Sequence, residues 1–158
     1  MNYSTNGLDS LTKTPVILDT MVLLRMLADK SPYVNVLEKI KEKCNKIVFS
    51  TPILKECMGK AYKEGMSTSI MIRKLEELNQ IKKLKKCNKT SIDKARKLIN
   101  SKNYKKPADD YDLKFIEAAL ADKASIITKD QGLLNMNPYN CGKTNLEIIT
   151  PEDYLENS

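Results

Sequence analysis

The chain alternates between short apolar runs and longer stretches in which apolar residues recur every three or four positions. The apolar runs predict buried β-strands at 16–18, 47–49, 125–128 and 146–149, and a short edge strand is predicted within 81–86. Helical spacing predicts α-helices over 21–27, 33–44, 52–65, 68–78, 91–99 and 110–122, with a last helix that begins at Pro151. Strands that alternate with helices form right-handed βαβ units. The sequence therefore predicts an α/β protein of three layers, α/β/α, with a central parallel sheet and helices on both faces.

Length and composition fit one domain. A chain of 158 residues is too short for two ordinary domains, so we expect a flexible N-terminal tail over 1–14 and a single domain over 15–158. The tail lacks the basic and then apolar order of a signal peptide, and no apolar run approaches the roughly 20 residues that span a bilayer. The four cysteines contain no CxxC pair and are predicted to be separate thiols. These features predict a cytoplasmic protein without a membrane segment.

The charged residues narrow the possible chemistry. The chain has no histidine, which excludes Ser-His-Asp hydrolases, Cys-His proteases, HExxH metalloenzymes and nucleases with paired histidines. Lys and Arg number 27 against 20 Asp and Glu, a net charge of +7. Segment 73–106 alone holds 13 basic and 3 acidic residues. This segment is predicted to contact phosphates, and a solvated lysine-rich surface is the alternative.

Two aspartates stand where the predicted strands end. Asp19 directly follows the apolar run 16–18, and Asp130 lies two residues after the run 125–128. In a parallel sheet, ligands bind beyond the carboxyl ends of the strands. Asp19 and Asp130 are therefore candidate site residues, although Asp19 could instead cap a helix and Asp130 could close a turn.

Two further carboxylates lie on predicted helices beside apolar positions. Glu56 precedes Cys57 next to the apolar stripe of its helix, and Asp112 lies one turn before Ile116. Glu56 could pair with a lysine, and Asp112 could serve a helix amino end. Four acids at one edge of a sheet repel one another unless a cation neutralises them.

A hard divalent cation, Mg²⁺ or Mn²⁺, is the simplest neutraliser of such an acidic cluster, because histidine is absent and carboxylate oxygens suit these ions. An acidic metal site beside a strongly basic segment is typical of phosphodiester chemistry. Hydrolysis of RNA or DNA is the class of reaction that follows.

The sequence also resembles the PIN domain family of small metal-dependent ribonucleases, from Val16 to Leu155. The resemblance is carried by VILDT with Asp19, by FSTPILKEC with Glu56, by DLKFIEAALADKASIITKD with Asp112 and Asp130, and by LEIITPEDYL. It implies a PIN-like nuclease domain that cleaves single-stranded RNA by metal-activated water. It also implies that Asp19, Glu56, Asp112 and Asp130 are catalytic and bind Mg²⁺ or Mn²⁺, directly or through water.

Several points remain open within this resemblance. Asp109 or Asp110 could replace Asp112 as the third ligand, and Thr128 or Thr20 could orient a water. Many relatives are toxins of the VapBC type, so an antitoxin protein and a homodimer are possible partners besides RNA, and an RNA-processing role is a second option. The competing prediction is a catalytically inactive nucleic-acid-binding module or scaffold that uses segment 73–106.

Overall fold

The computed structural model describes residues 14–43, 45–101, 110–137, 139–141 and 144–156. The strands are β1 (Val16–Leu18), β2 (Ile47–Phe49), β3 (Leu84–Lys86), β4 (Ser125–Ile127), β5 (Tyr139–Cys141), β6 (Thr144–Leu146) and β7 (Ile148–Ile149). The α-helices are α1 (Thr20–Leu27), α2 (Tyr33–Lys43), α3 (Thr51–Lys60), α4 (Thr68–Gln80), α5 (Lys89–Ser101), α6 (Asp110–Asp122), α7 (Gln131–Leu134) and α8 (Pro151–Glu156). A 3₁₀ turn over Ala61–Glu64 follows α3.

Five strands form one parallel sheet in the order β3-β2-β1-β4-β7. In the register of β1 with β4, Leu18 lies beside Ile127, and in that of β1 with β2, Ile17 lies beside Val48. Helix α6 packs against β1, β2 and β4, while α1, α3 and α4 line a cavity on the sheet with residues such as Leu23 and Leu75. The predicted three-layer α/β/α fold is confirmed.

The apolar runs become strands because they are buried on both faces. Residues 16–18 and 126–127 are buried throughout, which leaves no polar alternation in these strands. The helix after β2 has Pro52 in its first turn, where a missing N–H costs no hydrogen bond, and the 3₁₀ turn behind it ends at Gly65 with a φ of 76°. That left-handed conformation is accessible to glycine without a steric cost.

The C-terminal part of the sheet differs from the prediction. The run 146–149 is not one strand, because the exposed Glu147 separates β6 from β7. β6 pairs antiparallel with β5 in a separate two-stranded sheet, and β7 pairs parallel with β4. Asn137 supports the change of partner, since its Oδ1 accepts a hydrogen bond of 2.8 Å from the Ile148 amide.

Two helices also differ from the prediction, one in its first residue and one in its presence. The helix predicted over 91–99 begins at Lys89, so the N-cap role belongs to the residue before Lys89. Asn88 takes that role, because its Oδ1 accepts hydrogen bonds from the amides of Thr90 at 2.7 Å and Ser91 at 3.4 Å. The short helix α7, which follows Asp130, was not predicted.

An ion pair between an exposed arginine and a buried glutamate connects α5 to α6. Arg96 donates from Nε and Nη2 to both carboxylate oxygens of Glu117, at 2.7 and 3.2 Å, and Glu117 is buried. This bidentate contact raises the pKa of Arg96, chiefly through its hydrogen bond to Glu117. The basic helix α5 is thereby fixed to the helix that carries Asp112.

Some predictions lie partly outside the described residues. The N-terminal tail falls there up to residue 13, as does Asp109, and the side chain of Asp110 is likewise outside. Cys57 and Cys87 are free thiols, while the side chains of Cys44 and Cys141 are outside the described part. In the ranges that the structure covers, no helix is long and apolar enough to cross a membrane.

Candidate functional site

Asp19 lies at the carboxyl end of the central strand β1. Its amide continues the ladder with a 3.0 Å hydrogen bond to the Ile127 carbonyl, and its side chain is 3% exposed. The hydroxyl of Thr128 donates to Asp19 Oδ2 at 2.7 Å. Asp19 stands at the N-cap position of α1 but makes no side-chain cap hydrogen bond. The carboxylate of Asp19 is therefore bonded to Thr128, the residue that follows β4, and does not cap its own helix.

Thr128 connects Asp19 to Asp130. The Thr128 hydroxyl oxygen also accepts a hydrogen bond of 2.9 Å from the Asp130 amide. Asp130 in turn caps α7, because its Oδ2 accepts from the Leu133 amide at 3.0 Å. The loop after β4 is thus fixed at both ends, and it places Asp130 on the same edge of the sheet as Asp19.

Asp112 meets Asp130 beside Gly132. Asp112 lies in the first turn of α6 and is 5% exposed. A Cβ atom added at Gly132 would lie 3.0 Å from Asp112 Oδ2 and 3.0 Å from Asp130 Oδ2. The two carboxylate oxygens are therefore no further apart than twice that distance. A side chain at position 132 would therefore crowd both carboxylates, and glycine avoids that contact.

Glu56 approaches the same edge from α3 but is bound to other side chains. The hydroxyl of Thr20, the residue after Asp19, donates to Glu56 Oε1. Lys114 Nζ lies 3.3 Å from Glu56 Oε2, and Lys60 Nζ lies 3.6 Å from the same oxygen. The alternative that Glu56 pairs with a lysine is thus observed.

The donor atoms of this site suit a hard divalent cation. They are carboxylate oxygens on buried or half-buried side chains, and those of Asp112 and Asp130 converge beside Gly132. Within the described ranges, no three side chains of the His, Cys, Asp or Glu type lie close enough together, as they stand, to hold an ion. The donor oxygens are of the type that Mg²⁺ and Mn²⁺ bind, and Asp112 and Asp130 are the pair that lies close together as the structure stands.

Sequence reasoning missed three residues of this region. Gly132 and Lys114 have no sequence signal, because each matters only through neighbours that are distant in the chain. Ser50 follows β2, and continuing the β1–β2 register by two residues places it beside Asp19. Its Oγ is buried and makes no hydrogen bond to any part of the chain that the structure covers.

The thiol of Cys57 adds a pH dependence to this region. Burial raises the pKa of Cys57 from 9.0 to about 12; the charges of Glu56 and Asp19 add to the rise, while Thr20 and Lys114 oppose it. A raised pKa contributes stability that is fully present below pH 9 and is lost as the pH rises towards 12. We therefore expect the difference in unfolding free energy between wild type and Cys57→Ala to shrink over this range.

Urea unfolding of both proteins at pH 8, 9.5 and 10.5 measures that difference. A difference that stays constant with pH would show that the Cys57 thiol does not titrate abnormally.

The family of this chain follows from its match to a protein-family model. A family model described as PIN domain matches residues 15–132. The chain belongs to the PIN domain family. PIN domains are generally nucleases, and the match covers β1 with Asp19, α3 with Glu56, and the α6–β4 segment with Asp112 and Asp130.

A solved structure supports the PIN domain fold. The chain is similar to a chain in the crystal structure of VapBC2 from Rickettsia felis bound to a DNA fragment from their promoter. The TM-score is 0.54 at 16% identity, and the alignment covers 85% of this chain and 97% of that one. At this identity the likeness establishes the fold. No curated protein sequence matches this PIN domain chain.

Proposed function

We propose that this PIN domain is a metal-dependent endoribonuclease that hydrolyses phosphodiester bonds of single-stranded RNA. The observation that carries the proposal is the convergence of the Asp112 and Asp130 carboxylates beside Gly132, with Asp19 tied to the same loop through Thr128. Two carboxylates this close repel each other, and a bound cation would reduce this repulsion. Asp19, Glu56, Asp112 and Asp130 are the proposed catalytic and metal-site residues, and each of them acts on the ion directly, through water or through a neighbouring side chain.

Mg²⁺ or Mn²⁺ at this site would lower the pKa of a water molecule and stabilise the negative charge on the scissile phosphate. Side chains of the protein position the acidic residues for this reaction. Thr128 orients Asp19, the α7 cap orients Asp130, and Gly132 has no side chain that would crowd the Asp112 and Asp130 carboxylates. This hydrolysis requires no histidine and no covalent intermediate on the protein.

The basic segment supports RNA as the substrate. Lys86 and Lys89 are exposed and flank the carboxyl end of β3, which is the sheet edge where Asp19 also stands. Lys94 and Lys97 continue the exposed positive charge along α5. Lysines along one edge can hold a phosphate backbone that leads to the acidic site.

A role as the toxin of a toxin–antitoxin pair is part of the proposal. The similar solved chain belongs to a structure titled VapBC2 bound to a promoter DNA fragment, which favours an antitoxin protein as a partner. A homodimer and an RNA-processing role are compatible with the same site.

Cleavage of a fluorescent single-stranded RNA tests the activity. We expect cleavage with Mn²⁺ or Mg²⁺ and none with excess EDTA, because the carboxylates alone cannot activate water at neutral pH. A single-stranded DNA of the same sequence tests the preference for RNA, and it is expected to be cleaved poorly. If the protein binds RNA but shows no metal-dependent cleavage, it is a nucleic-acid-binding module and not an enzyme.

A further inference from the structure

A half-buried lysine lies inside the acidic site. We propose that Lys114 is a positioning residue whose ammonium group takes the cation position beside Glu56, so that the divalent ion is held by Asp19, Asp112 and Asp130. Glu56 then contributes through Lys114 and Thr20 instead of binding the ion itself. The inference rests on the proposed function, because it concerns the metal of that same site.

Both oxygens of Glu56 already have partners within the protein. Oε1 accepts the hydrogen bond of the Thr20 hydroxyl, and Oε2 lies 3.3 Å from Lys114 Nζ and 3.6 Å from Lys60 Nζ. A carboxylate in this state has lone pairs directed at protein donors on each oxygen. To ligate an ion, Glu56 would have to share oxygens that already contact protein donors, and the ion would approach the positive charge of Lys114.

The neighbouring side chains stabilise the positive charge of Lys114 next to Glu56. The side chains of Lys114 and Glu56 are each 15% exposed, so their attraction is only partly screened by water. Lys114 Nζ also lies 4.8 Å from the centre of the Phe115 ring, a cation–π distance to a side chain that is fully buried. Lys60 offers the matched contrast, because its side chain is 36% exposed and its contact is longer.

The remaining carboxylates are organised without Glu56. Thr128 joins Asp19 to the Asp130 backbone, and Gly132 has both Asp112 Oδ2 and Asp130 Oδ2 beside it. Asp112 and Asp130 therefore meet beside Gly132 and Asp19 is connected to the Asp130 backbone through Thr128, whereas Glu56 is paired with lysine. An ammonium group beside Glu56 repels a second divalent ion there, so the site is expected to hold one ion per chain.

Mn²⁺ titration of the complete chain, by calorimetry and by the electron paramagnetic resonance of free Mn²⁺, tests this division. Removing the positive charge in Lys114→Met is expected to strengthen Mn²⁺ binding by about tenfold, because the competing cation is lost and Glu56 becomes available. Lys60→Met is the control and should change the affinity by less than about twofold, as expected for an exposed pair.

Glu56→Gln completes the test as a double-mutant cycle. In the wild-type background, Glu56→Gln should weaken Mn²⁺ binding by less than about threefold. In the Lys114→Met background, it should abolish the increase in Mn²⁺ affinity that Lys114→Met causes. The metal-free Lys114→Met protein should also melt at a lower temperature, because Glu56 loses its nearest cation. Lys114→Gln carries the same expectations if Lys114→Met does not fold, and Lys114→Arg should keep the wild-type affinity.

The outcomes separate this inference from the proposed function. Equal or weaker Mn²⁺ binding in Lys114→Met and Lys114→Gln, or a loss above about tenfold in Glu56→Gln alone, would overturn the role of Lys114 while leaving a metal site in place. A wild-type protein that binds no Mn²⁺ would overturn the metal-dependent function itself.

Discussion

Asp112→Asn is expected to lower the rate of RNA cleavage by about 10³-fold and to abolish stabilisation by Mn²⁺. The substitution keeps the shape of the side chain and removes a negative charge next to Asp130. The metal-free variant should be at least as stable as wild type, because the repulsion between the two carboxylates is relieved. Single-turnover cleavage and melting curves with and without Mn²⁺ measure these effects.

Asp122→Asn is the matched control on the same helix. Asp122 lies at the other end of α6, its side chain is 8% exposed, and it pairs with Lys85 at 3.5 Å. This substitution removes a buried carboxylate far from the acidic site and should leave cleavage and the Mn²⁺ response unchanged. Equal losses in both variants would mean that any buried charge on α6 matters only for folding.

Phe115→Ala is expected to cost about 4 kcal/mol of unfolding free energy. Phe115 is fully buried and lies on α6, the helix that packs against β1, β2 and β4. Truncating it leaves a cavity under the helix that also carries Asp112 and Lys114. Chemical denaturation followed by circular dichroism measures the loss.

Phe49→Ala provides the comparison, because the chain has only two phenylalanines. Phe49 is half-buried at the end of β2 and should lose about half as much stability when truncated. A loss at Phe115 no larger than that at Phe49 would contradict the central place of α6 in the core.

Much of the fold could be predicted because its strands are buried on both faces. The strands at 16–18 and 47–49 and the helix at 110–122 begin and end where the apolar pattern predicts. The apolar pattern gave a wrong prediction at 146–149, because the single predicted strand is two strands, one on each side of Glu147, that belong to different sheets. It also failed at α7, because a helix of four residues is too short to have a period.

The acidic site was predictable only in part. Asp19 and Asp130 follow from the geometry of parallel sheets, in which strand ends share one edge. The partnership of Glu56 with Lys114 joins residues 58 positions apart, and helical or strand spacing carries no information about such a contact. Gly132 becomes informative only once Asp112 and Asp130 are seen on either side of it.

The anomalous scattering of a crystal soaked in Mn²⁺ tests the central claim most directly. We expect one strong peak within bonding distance of the carboxylates of Asp112 and Asp130, beside Gly132 and on the side of Asp19. The absence of a peak there, or peaks confined to other surfaces, would contradict a metal-dependent active site at this edge of the sheet.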